Sequence, residues 1–216
     1  MLVSGIILSA GKSERMGRDK ALLKCGGRRF VEKIISDLLS IGIDRIFIVL
    51  GEHNFVRIKR EADLNPAEIL INKEVELGQL HSVKLATERL TEEKAEAFML
   101  CLVDQPLVKK ETYGKIVDFF KENCDCIVIP MCLREARNRK SEGGELRRGK
   151  DPKNHSLYKR GHPIIIPRVY WNLILETPAG ESLHWVTHHK KVKVKDVIVD
   201  DSNILKDFDT PRDYAG

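Results

Sequence analysis

The feature that most constrains the fold of this chain is an alternation between two kinds of hydrophobic segment. Short runs rich in β-branched residues predict strands, and they read "SGIILS", "RIFIVLG", "EILIN", "AFMLCLVD", "CIVIPM", "HPIIIP" and "KVKVKDVIV". Between most of them lie segments with helical spacing, which read "FVEKIISDLLSIG", "LHSVKLATERL", "ETYGKIVDFFKEN" and "VYWNLILE". Strands that are apolar on both faces and alternate with amphipathic helices are typical of a mostly parallel sheet covered by helices on both sides. We therefore predict an α/β fold, a three-layer Rossmann-like sandwich around a mostly parallel mixed sheet.

The first helical segment shows the periodicity most clearly. One face carries apolar residues at the i, i+3, i+4, i+7 and i+8 positions, which are Val31, Ile34, Ile35, Leu38 and Leu39. Gly42 is expected to end this helix, because glycine adopts the left-handed conformation that closes many helices.

Length and composition narrow the class of protein. The chain has 216 residues, of which 42% are hydrophobic and 32% are charged, and its formal net charge is +5. These values predict one globular domain over residues 1–216. No apolar run approaches the roughly 20 residues that a membrane span needs, and no basic leader precedes the first predicted strand. We expect no membrane partner and, because there is no long single-sign tail, no nucleic-acid partner.

Cysteine usage favours a reducing, cytoplasmic location. The five cysteines are Cys25, Cys101, Cys124, Cys126 and Cys132. They show no Cys-x-x-Cys spacing, so neither a disulfide framework nor a zinc site is expected.

One stretch interrupts the alternation. Residues 131–163 contain few apolar residues and many cations, and we predict an exposed basic insertion loop over residues 133–159. Its cations include Arg134, Arg137, Arg139, Arg147, Arg148 and Lys150. Two interpretations stay open, a mobile lid over an anionic acceptor or a solvated loop without that role.

Residues that could bind a ligand directly follow two of the predicted strands. Gly11 comes after "GIILS", with Lys12, Arg15 and Lys20 close behind it, and Asp104 comes after "AFMLCLV". Ligands of parallel sheets bind at the carboxyl ends of the strands, so the glycine turn and Asp104 are expected to meet there. Two known phosphate-binding patterns do not fit, because the spacing to the next glycine is too long for a P-loop and no G-x-G-x-x-G is present.

The glycine turn nevertheless has the properties of an anion site. Gly11 is expected to adopt a positive φ that lets the backbone approach a phosphate, and successive N–H groups of the turn can form a nest. Arg15 and Lys20 would add the full charges that a triphosphate requires. Each cation taken alone has a simpler explanation as a solvated surface residue.

The segment "LSAGKSERMGRDKALL" resembles the signature loop of the nucleotidyltransferases related to molybdenum cofactor cytidylyltransferase. The matching residues are Leu8, Ala10, Gly11, Ser13, Arg15, Met16, Gly17, Lys20, Leu22 and Leu23. Further along, "GQLHSVKLA", "LVDQP", "RGHPIIIP" and "LKDFDTPRDY" resemble later motifs of that family, so the resemblance covers nearly the whole chain. It implies the fold of the nucleotide-diphospho-sugar transferases and a reaction that moves a nucleotidyl group from an NTP and releases pyrophosphate.

The same resemblance assigns roles to individual residues, which we state as expectations. The expected catalytic residues are Arg15, Lys20 and Asp104. The expected nucleotide-binding residues are Leu8, Ser9, Ala10, Gly11, Lys12 and Ser13 of the loop, together with Gly78 and Ser82. The expected acceptor-binding residues are Gln105, Gly161 and His162.

A divalent cation is expected at the carboxylates, Mg²⁺ or alternatively Mn²⁺, because nucleotidyl transfer develops negative charge at the α-phosphate. Asp104 is the first expected ligand. Asp207 is the second, ahead of Asp209, because Asp209-Thr210-Pro211 also has the pattern of a helix N-cap followed by a first turn. Asp213 is expected to be structural.

Ala10 indicates the nucleotide, since family members with alanine at this position resemble the pyrimidine users. The resemblance thus implies CTP as the nucleotide, a molybdopterin-type small molecule as the acceptor and a molybdoenzyme as the recipient of the product. Two alternatives remain open. The acceptor could be another phosphorylated compound, such as a sugar or polyol phosphate, or the protein could bind its cofactor without turnover, as a chaperone of a molybdoenzyme.

Overall fold

The computed structural model describes residues 1–133 and 157–214. Most of the predicted insertion loop therefore lies outside the described residues, including all six of its named cations. Among the residues that are described, no helix is both long enough and apolar enough to cross a membrane.

A mixed sheet forms the centre of the structure. Its strands are β1 (Val3–Ser9), β4 (Ile46–Gly51), β5 (Glu68–Asn72), β6 (Ala97–Leu102), β7 (Ile127–Leu133), β8 (Tyr158–Arg160), β9 (Ile164–Pro167) and β10 (Val194–Ile198). The spatial order is β5–β4–β1–β6–β9–β7–β10, and β8 pairs with β7. Strand β1 runs parallel to both of its neighbours, whereas β9 runs antiparallel to β6 and β7. Two further short strands, β2 (Lys24–Cys25) and β3 (Arg28–Arg29), form a separate antiparallel pair.

Helices cover both faces of this sheet, which confirms the predicted three-layer α/β fold. They are α1 (Phe30–Ser40), α2 (Phe55–Glu61), α3 (Gln79–Thr91), α4 (Lys110–Lys121), α5 (Trp171–Glu176), α6 (Leu183–Thr187) and α7 (Pro211–Tyr214). Side chains of α1, α2 and α4 join one hydrophobic cluster, and side chains of α3, α5 and α6 join another. Neighbouring residues of β1 contribute to opposite clusters, Ile7 to the first and Ile6 and Leu8 to the second.

The predicted helix over residues 30–42 is present and ends where its sequence indicates. Helix α1 buries Val31, Ile34, Ile35 and Leu38, whereas Leu39 of the predicted face is exposed, and Gly42 follows the helix with a φ of 82°. The apolar stripe and the left-handed glycine therefore determine both the packed face of α1 and its end.

The boundary of the insertion differs from the prediction. Residues 158–160 form strand β8, in which Tyr158 pairs with Leu133 and Arg160 pairs with Met131. The polar run "YKR" carries no strand periodicity of its own. It is a strand because ladder hydrogen bonds to β7 determine its conformation. Leu133, Tyr158 and Lys159 thus belong to the sheet, although we predicted them to be loop.

The topology brings several strand ends to one edge of the sheet. Strands β1, β4 and β6 are parallel, so the loops that follow Ser9, Gly51 and Leu102 all emerge at their shared carboxyl end. This is where parallel sheets place their ligands, and a large cavity lies there.

Candidate active site

A cavity of about 660 Å³ opens where β1 and β6 end. It is lined by many of the residues that the sequence analysis selected, namely Leu8, Ser9, Ala10, Gly11, Lys12, Ser13, Arg15, Lys20, Gly78, Ser82 and Asp104, together with Asp209. The glycine turn and Asp104 thus meet at one site, as their positions after two adjacent parallel strands indicated.

The loop after β1 differs in its backbone from the prediction. Gly11 does not have a positive φ; the left-handed residues are Ser13, with a φ of 51°, and Gly17, with a φ of 66°. The N–H groups of Met16 and Gly17 both donate to the carbonyl oxygen of Ser13 at 3.0 Å. The loop therefore turns at Ser13–Gly17 and not at Gly11, where an added Cβ would meet no atom of the described residues within 4 Å.

The start of this loop presents unused hydrogen-bond donors. Within residues 1–133 and 157–214, the backbone N–H groups of residues 11–15 donate no hydrogen bond. Successive free N–H groups next to a cavity attract an anion. The predicted nest is therefore available, although its left-handed residue is Ser13.

Lys20 lies at the centre of the charged part of the cavity. Its Nζ donates to Oδ2 of Asp104 at 2.9 Å and to Oδ1 of Asp209 at 2.6 Å. Arg15 approaches the other oxygen of Asp209, with Nη2 3.0 Å from Oδ2. Two carboxylates from distant parts of the chain thus share one ammonium group.

This arrangement fixes the charges of its members. Burial lowers the pKa of Lys20, but the hydrogen bonds to Asp104 and Asp209 outweigh it and raise the pKa above its ordinary value. The hydrogen bond from Lys20 lowers the pKa of Asp209, against a smaller effect of burial. Lys20 is therefore an ammonium ion and Asp209 a carboxylate near neutral pH.

The C-terminal segment delivers Asp209 to the cavity. The N–H of Phe208 donates to the carbonyl oxygen of Asp104 at 2.9 Å, and the Phe208 ring packs on Phe30, with 5.1 Å between the ring centroids. Asp213 accepts hydrogen bonds from the N–H groups of Asp209 and Thr210 and from the Thr210 hydroxyl. Asp213 therefore stabilises the turn into α7, which agrees with the structural role expected for it.

Asp207 and Asp209 occupy different places. Asp209 shares Lys20 with Asp104, whereas Asp207 accepts a hydrogen bond of 2.7 Å from Nε2 of Gln105 and does not line the cavity. The geometry favours Asp209 over Asp207 as the carboxylate that acts with Asp104, the reverse of the expected order. The sequence could not order them, because both residues flank Phe208 and only tertiary contacts orient that segment.

The three expected acceptor residues lie beside the cavity and do not line it. Gln105 is 5% exposed and also donates to the carbonyl oxygen of Ile204 at 3.3 Å. Burial lowers the pKa of His162, although the charges of Asp207 and Asp104 oppose that effect. A Cβ at Gly161 would overlap the carbonyl group of Ile204, so Gly161 permits a close backbone contact. Whether an acceptor contacts these residues stays a prediction.

Another segment that lines the cavity begins α3. Gly78 directly precedes the helix and has a φ of 84°. Glycine adopts this left-handed conformation at little cost. Within the first turns, the Ser82 hydroxyl accepts a hydrogen bond of 2.9 Å from Nδ2 of Asn72. Ser82 therefore has its hydroxyl hydrogen available for a ligand.

Sequence reasoning missed several cavity residues. Asn54, at the end of the loop after β4, donates to the Ser9 carbonyl oxygen at 3.1 Å and lines the cavity, as do Val75 and Gln79. Glu76 forms an exposed ion pair of 3.1 Å with Lys12. The position of Asn54 shortly after a predicted parallel strand was the signal that could have indicated it.

The carboxylates of the cavity are also candidate metal ligands. The described residues contain no group of three or more His, Cys, Asp or Glu side chains that could hold a metal ion. Asp104 and Asp209 nevertheless converge on one cation, and Mg²⁺ is commonly held by one or two carboxylates plus phosphate oxygens of the substrate. The donor set therefore fits a divalent cation that arrives with a nucleotide.

Comparison with protein families identifies the chain. Residues 5–192 match the MobA-like NTP transferase domain. The chain belongs to this family. It is therefore a member of a nucleotidyltransferase family, as its motifs indicated.

Named relatives differ in how much of the chain they cover. The chain is 28% identical over 210 residues to nicotine blue oxidoreductase of Paenarthrobacter nicotinovorans, which covers 96% of the chain and 92% of that protein. It is 29% identical to the molybdenum cofactor guanylyltransferase of Xanthomonas euvesicatoria, over 61% of the chain and 64% of that protein. It is 30% identical to the bifunctional protein GlmU of Staphylococcus haemolyticus over 53% of the chain, but it spans only 25% of that protein's length.

Solved structures support the fold. Rv0371c of Mycobacterium tuberculosis H37Rv superimposes with a TM-score of 0.77 at 22% identity, over 100% of this chain and 96% of the other. The 4-diphosphocytidyl-2C-methyl-D-erythritol synthase of Anaerococcus prevotii superimposes with a TM-score of 0.70 at 15% identity, over 99% and 95%. These similarities confirm a fold of the nucleotide-diphospho-sugar transferase type.

Proposed function

We propose that the protein transfers CMP from CTP to the terminal phosphate of molybdenum-bearing molybdopterin and releases pyrophosphate. The observation that carries this proposal is the convergence of the cationic loop, Asp104 and Asp209 on one cavity. The loop supplies groups for phosphates, and the carboxylate pair supplies groups for a metal–nucleotide complex. Ala10 lines the cavity and, through the family resemblance, supports CTP as the nucleotide.

The loop would bind the triphosphate. The free N–H groups of residues 11–15 can donate to phosphate oxygens, and Lys20 and Arg15 can neutralise their charge. Gly78 and Ser82 also line the cavity, and they would help to hold the base and ribose. Binding by both segments would fix the α-phosphate relative to the incoming acceptor.

The reaction itself needs little from protein acids and bases. An oxygen of the acceptor phosphate forms a bond to the α-phosphorus, and the bond from that phosphorus to the bridging oxygen breaks as pyrophosphate leaves. The attacking oxygen is already ionised near neutral pH, so no general base is required. When bound, Mg²⁺, or Mn²⁺ in its place, would supply charge neutralisation at the α-phosphate between Asp104 and Asp209. The chain's part is alignment and electrostatic stabilisation.

The acceptor would approach from the side of Gln105 and His162. Burial lowers the pKa of His162, so a neutral imidazole is available there to donate one hydrogen bond and accept another. The acceptor stays a proposal that rests on the Arg-Gly-His-Pro resemblance. A cytoplasmic location is also a proposal, and it rests on the cysteine usage. A sugar or polyol phosphate and a non-catalytic chaperone role are the alternatives.

The proposal is tested by incubating the protein with each of the four NTPs, Mg²⁺ and a panel of acceptors that includes molybdopterin, sugar phosphates and polyol phosphates. We expect pyrophosphate release with CTP and molybdopterin to exceed that of every other pair. Release with another acceptor would replace the substrate but keep the reaction. No release with any pair, together with retained CTP binding, would favour the chaperone role.

A redox activity is a further candidate, because one relative that covers nearly the whole chain is named nicotine blue oxidoreductase. Incubation with a reduced nicotinamide cofactor and a dye acceptor tests it. Dye reduction at a rate above that of pyrophosphate release would favour this candidate over nucleotidyl transfer.

A further inference from the structure

The ammonium group of Lys20 occupies the position between the two carboxylates of the cavity. Nζ is within 2.9 Å of both Asp104 and Asp209, and the three side chains are only 14%, 22% and 34% exposed. Three charges are therefore held close together with limited access to water. The inference that this contact affects metal binding rests on the proposed function, in which a metal accompanies the nucleotide.

Two neighbouring carboxylates repel each other, and a cation between them removes that repulsion. Lys20 does so without any metal, because its Nζ donates one hydrogen bond to each carboxylate. A divalent cation that used the same pair would need oxygen ligands at about 2.0–2.1 Å for Mg²⁺. One space cannot hold the ammonium group and that ion together, so the two cations exclude each other.

The phosphates of a bound nucleotide would give Lys20 a second set of partners. The start of the loop presents free N–H groups to the same cavity, and phosphates bound there would attract an ammonium on a flexible four-carbon stem. A nucleotide therefore offers Lys20 new partners at the moment when the carboxylates can accept a metal.

We propose that Lys20 acts as an internal substitute for the metal, holding Asp104 and Asp209 together and excluding divalent cations until nucleotide phosphates draw its ammonium group away. Metal and nucleotide then bind with positive coupling, because each favours the state in which Lys20 has left the carboxylates. Loss of pyrophosphate returns Lys20 to the pair and weakens the hold on the metal.

The test measures Mn²⁺ binding to the full chain without nucleotide, from the electron paramagnetic resonance signal of free Mn²⁺. We expect Lys20→Met to bind Mn²⁺ about tenfold more tightly than the unmodified protein. Lys20→Arg keeps the charge and should bind it as weakly as the unmodified protein. Arg18→Met removes one exposed charge from the same loop, and Arg18 has no ion pair within the described residues, so it controls for net charge.

A merely structural role for Lys20 predicts the opposite sign, since loosening the carboxylates would weaken Mn²⁺ binding. Equal or weaker binding by Lys20→Met overturns the inference, and so does equal tightening by Arg18→Met. Lys20→Gln is measured in parallel, with thermal unfolding to show that each variant is folded. If Lys20→Met fails to fold, Lys20→Gln decides by the same criteria.

A measurement with CTP present distinguishes failure of this inference from failure of the proposed function. After correction for Mn²⁺ held by free CTP, the unmodified protein should take up more Mn²⁺ with the nucleotide than without it, and Lys20→Met should lose most of that increase. No nucleotide-dependent uptake and no pyrophosphate release in the unmodified protein would contradict the proposed function. Uptake by the unmodified protein without tightening in Lys20→Met would contradict the inference alone.

Discussion

The backbone N–H of Phe208 donates a hydrogen bond of 2.9 Å to the carbonyl oxygen of Asp104. This one contact joins the loop after β6 to the C-terminal segment, which comes much later in the sequence. Because Asp209 follows Phe208 directly, the contact also places the second carboxylate of the cavity beside the first. The catalytic role expected of the site depends on this pairing of carboxylates.

Asp104→Asn should lower the rate of pyrophosphate release about a hundredfold or more, because it removes one of the two carboxylates that would hold a metal–nucleotide complex. The rate is measured with CTP and the best acceptor at saturating Mg²⁺. Asp118→Asn changes an exposed carboxylate on α4 that pairs with Lys121 and should keep the full rate. An unchanged rate for Asp104→Asn would remove its catalytic assignment.

Arg15→Ala should raise the KM for CTP, because the Arg15 side chain is 73% exposed at the cavity and its guanidinium is available for phosphate oxygens. We expect a change of about tenfold, with a smaller effect on kcat. Steady-state kinetics at two salt concentrations would show a weaker salt dependence in the variant. The neighbouring Arg18→Ala serves as the comparison, and an equal rise in KM there would indicate a general charge effect.

Gly161→Ala should destabilise the protein by about 2 kcal/mol, because the added Cβ would overlap the Ile204 carbonyl group and backbone atoms yield little. Gly114→Ala in α4 is the matched control. Among the described residues its Cβ would meet only Ile41, at 3.9 Å, so this helical substitution should raise the free energy of unfolding by about 0.5–1 kcal/mol. Denaturant unfolding measures both free energies, and equal values would contradict the close contact at Gly161.

His162 should make the protein less stable at acidic pH. Burial holds its pKa in the folded state below the ordinary value, against the opposing charges of Asp207 and Asp104. The unfolded chain binds the proton more readily, so the free energy of unfolding should fall as pH drops below about 6.5 and level off beneath the folded pKa. His162→Gln should lack this component. Denaturant unfolding from pH 7.5 to 5 tests the sign, and parallel profiles for the two proteins would contradict it.

Much of the architecture could be predicted because local signals agree with the tertiary result. The runs "GIILS" and "AFMLCL" are buried on both faces, which only central strands of a covered sheet require. Since both strands are parallel, their ends had to meet, and the amino-acid sequence alone was enough to bring Gly11 and Asp104 to one site. The apolar stripe and Gly42 likewise predicted α1, which ends at Ser40, shortly before that glycine.

The remaining details depended on contacts that are distant in sequence. Strand β8 forms because its backbone pairs with β7, and the sequence "YKR" alone does not predict a strand. Gly11 was a reasonable candidate for the left-handed position, yet the hydrogen bonds to the Ser13 carbonyl move the turn two residues onward. Gln105, Gly161 and His162 were selected as acceptor residues by motif, but their burial and neighbours only became visible in three dimensions.

The pairing of Leu133 with Tyr158 has a consequence for how this protein could be redesigned. Leu133 ends β7 and Tyr158 begins β8, so the segment that joins these two strands starts and finishes at one rung of their ladder. The span between its two ends therefore does not fix its length. Laboratory chimeras could replace that joining segment with one of different length or sequence without changing the register of β7 and β8.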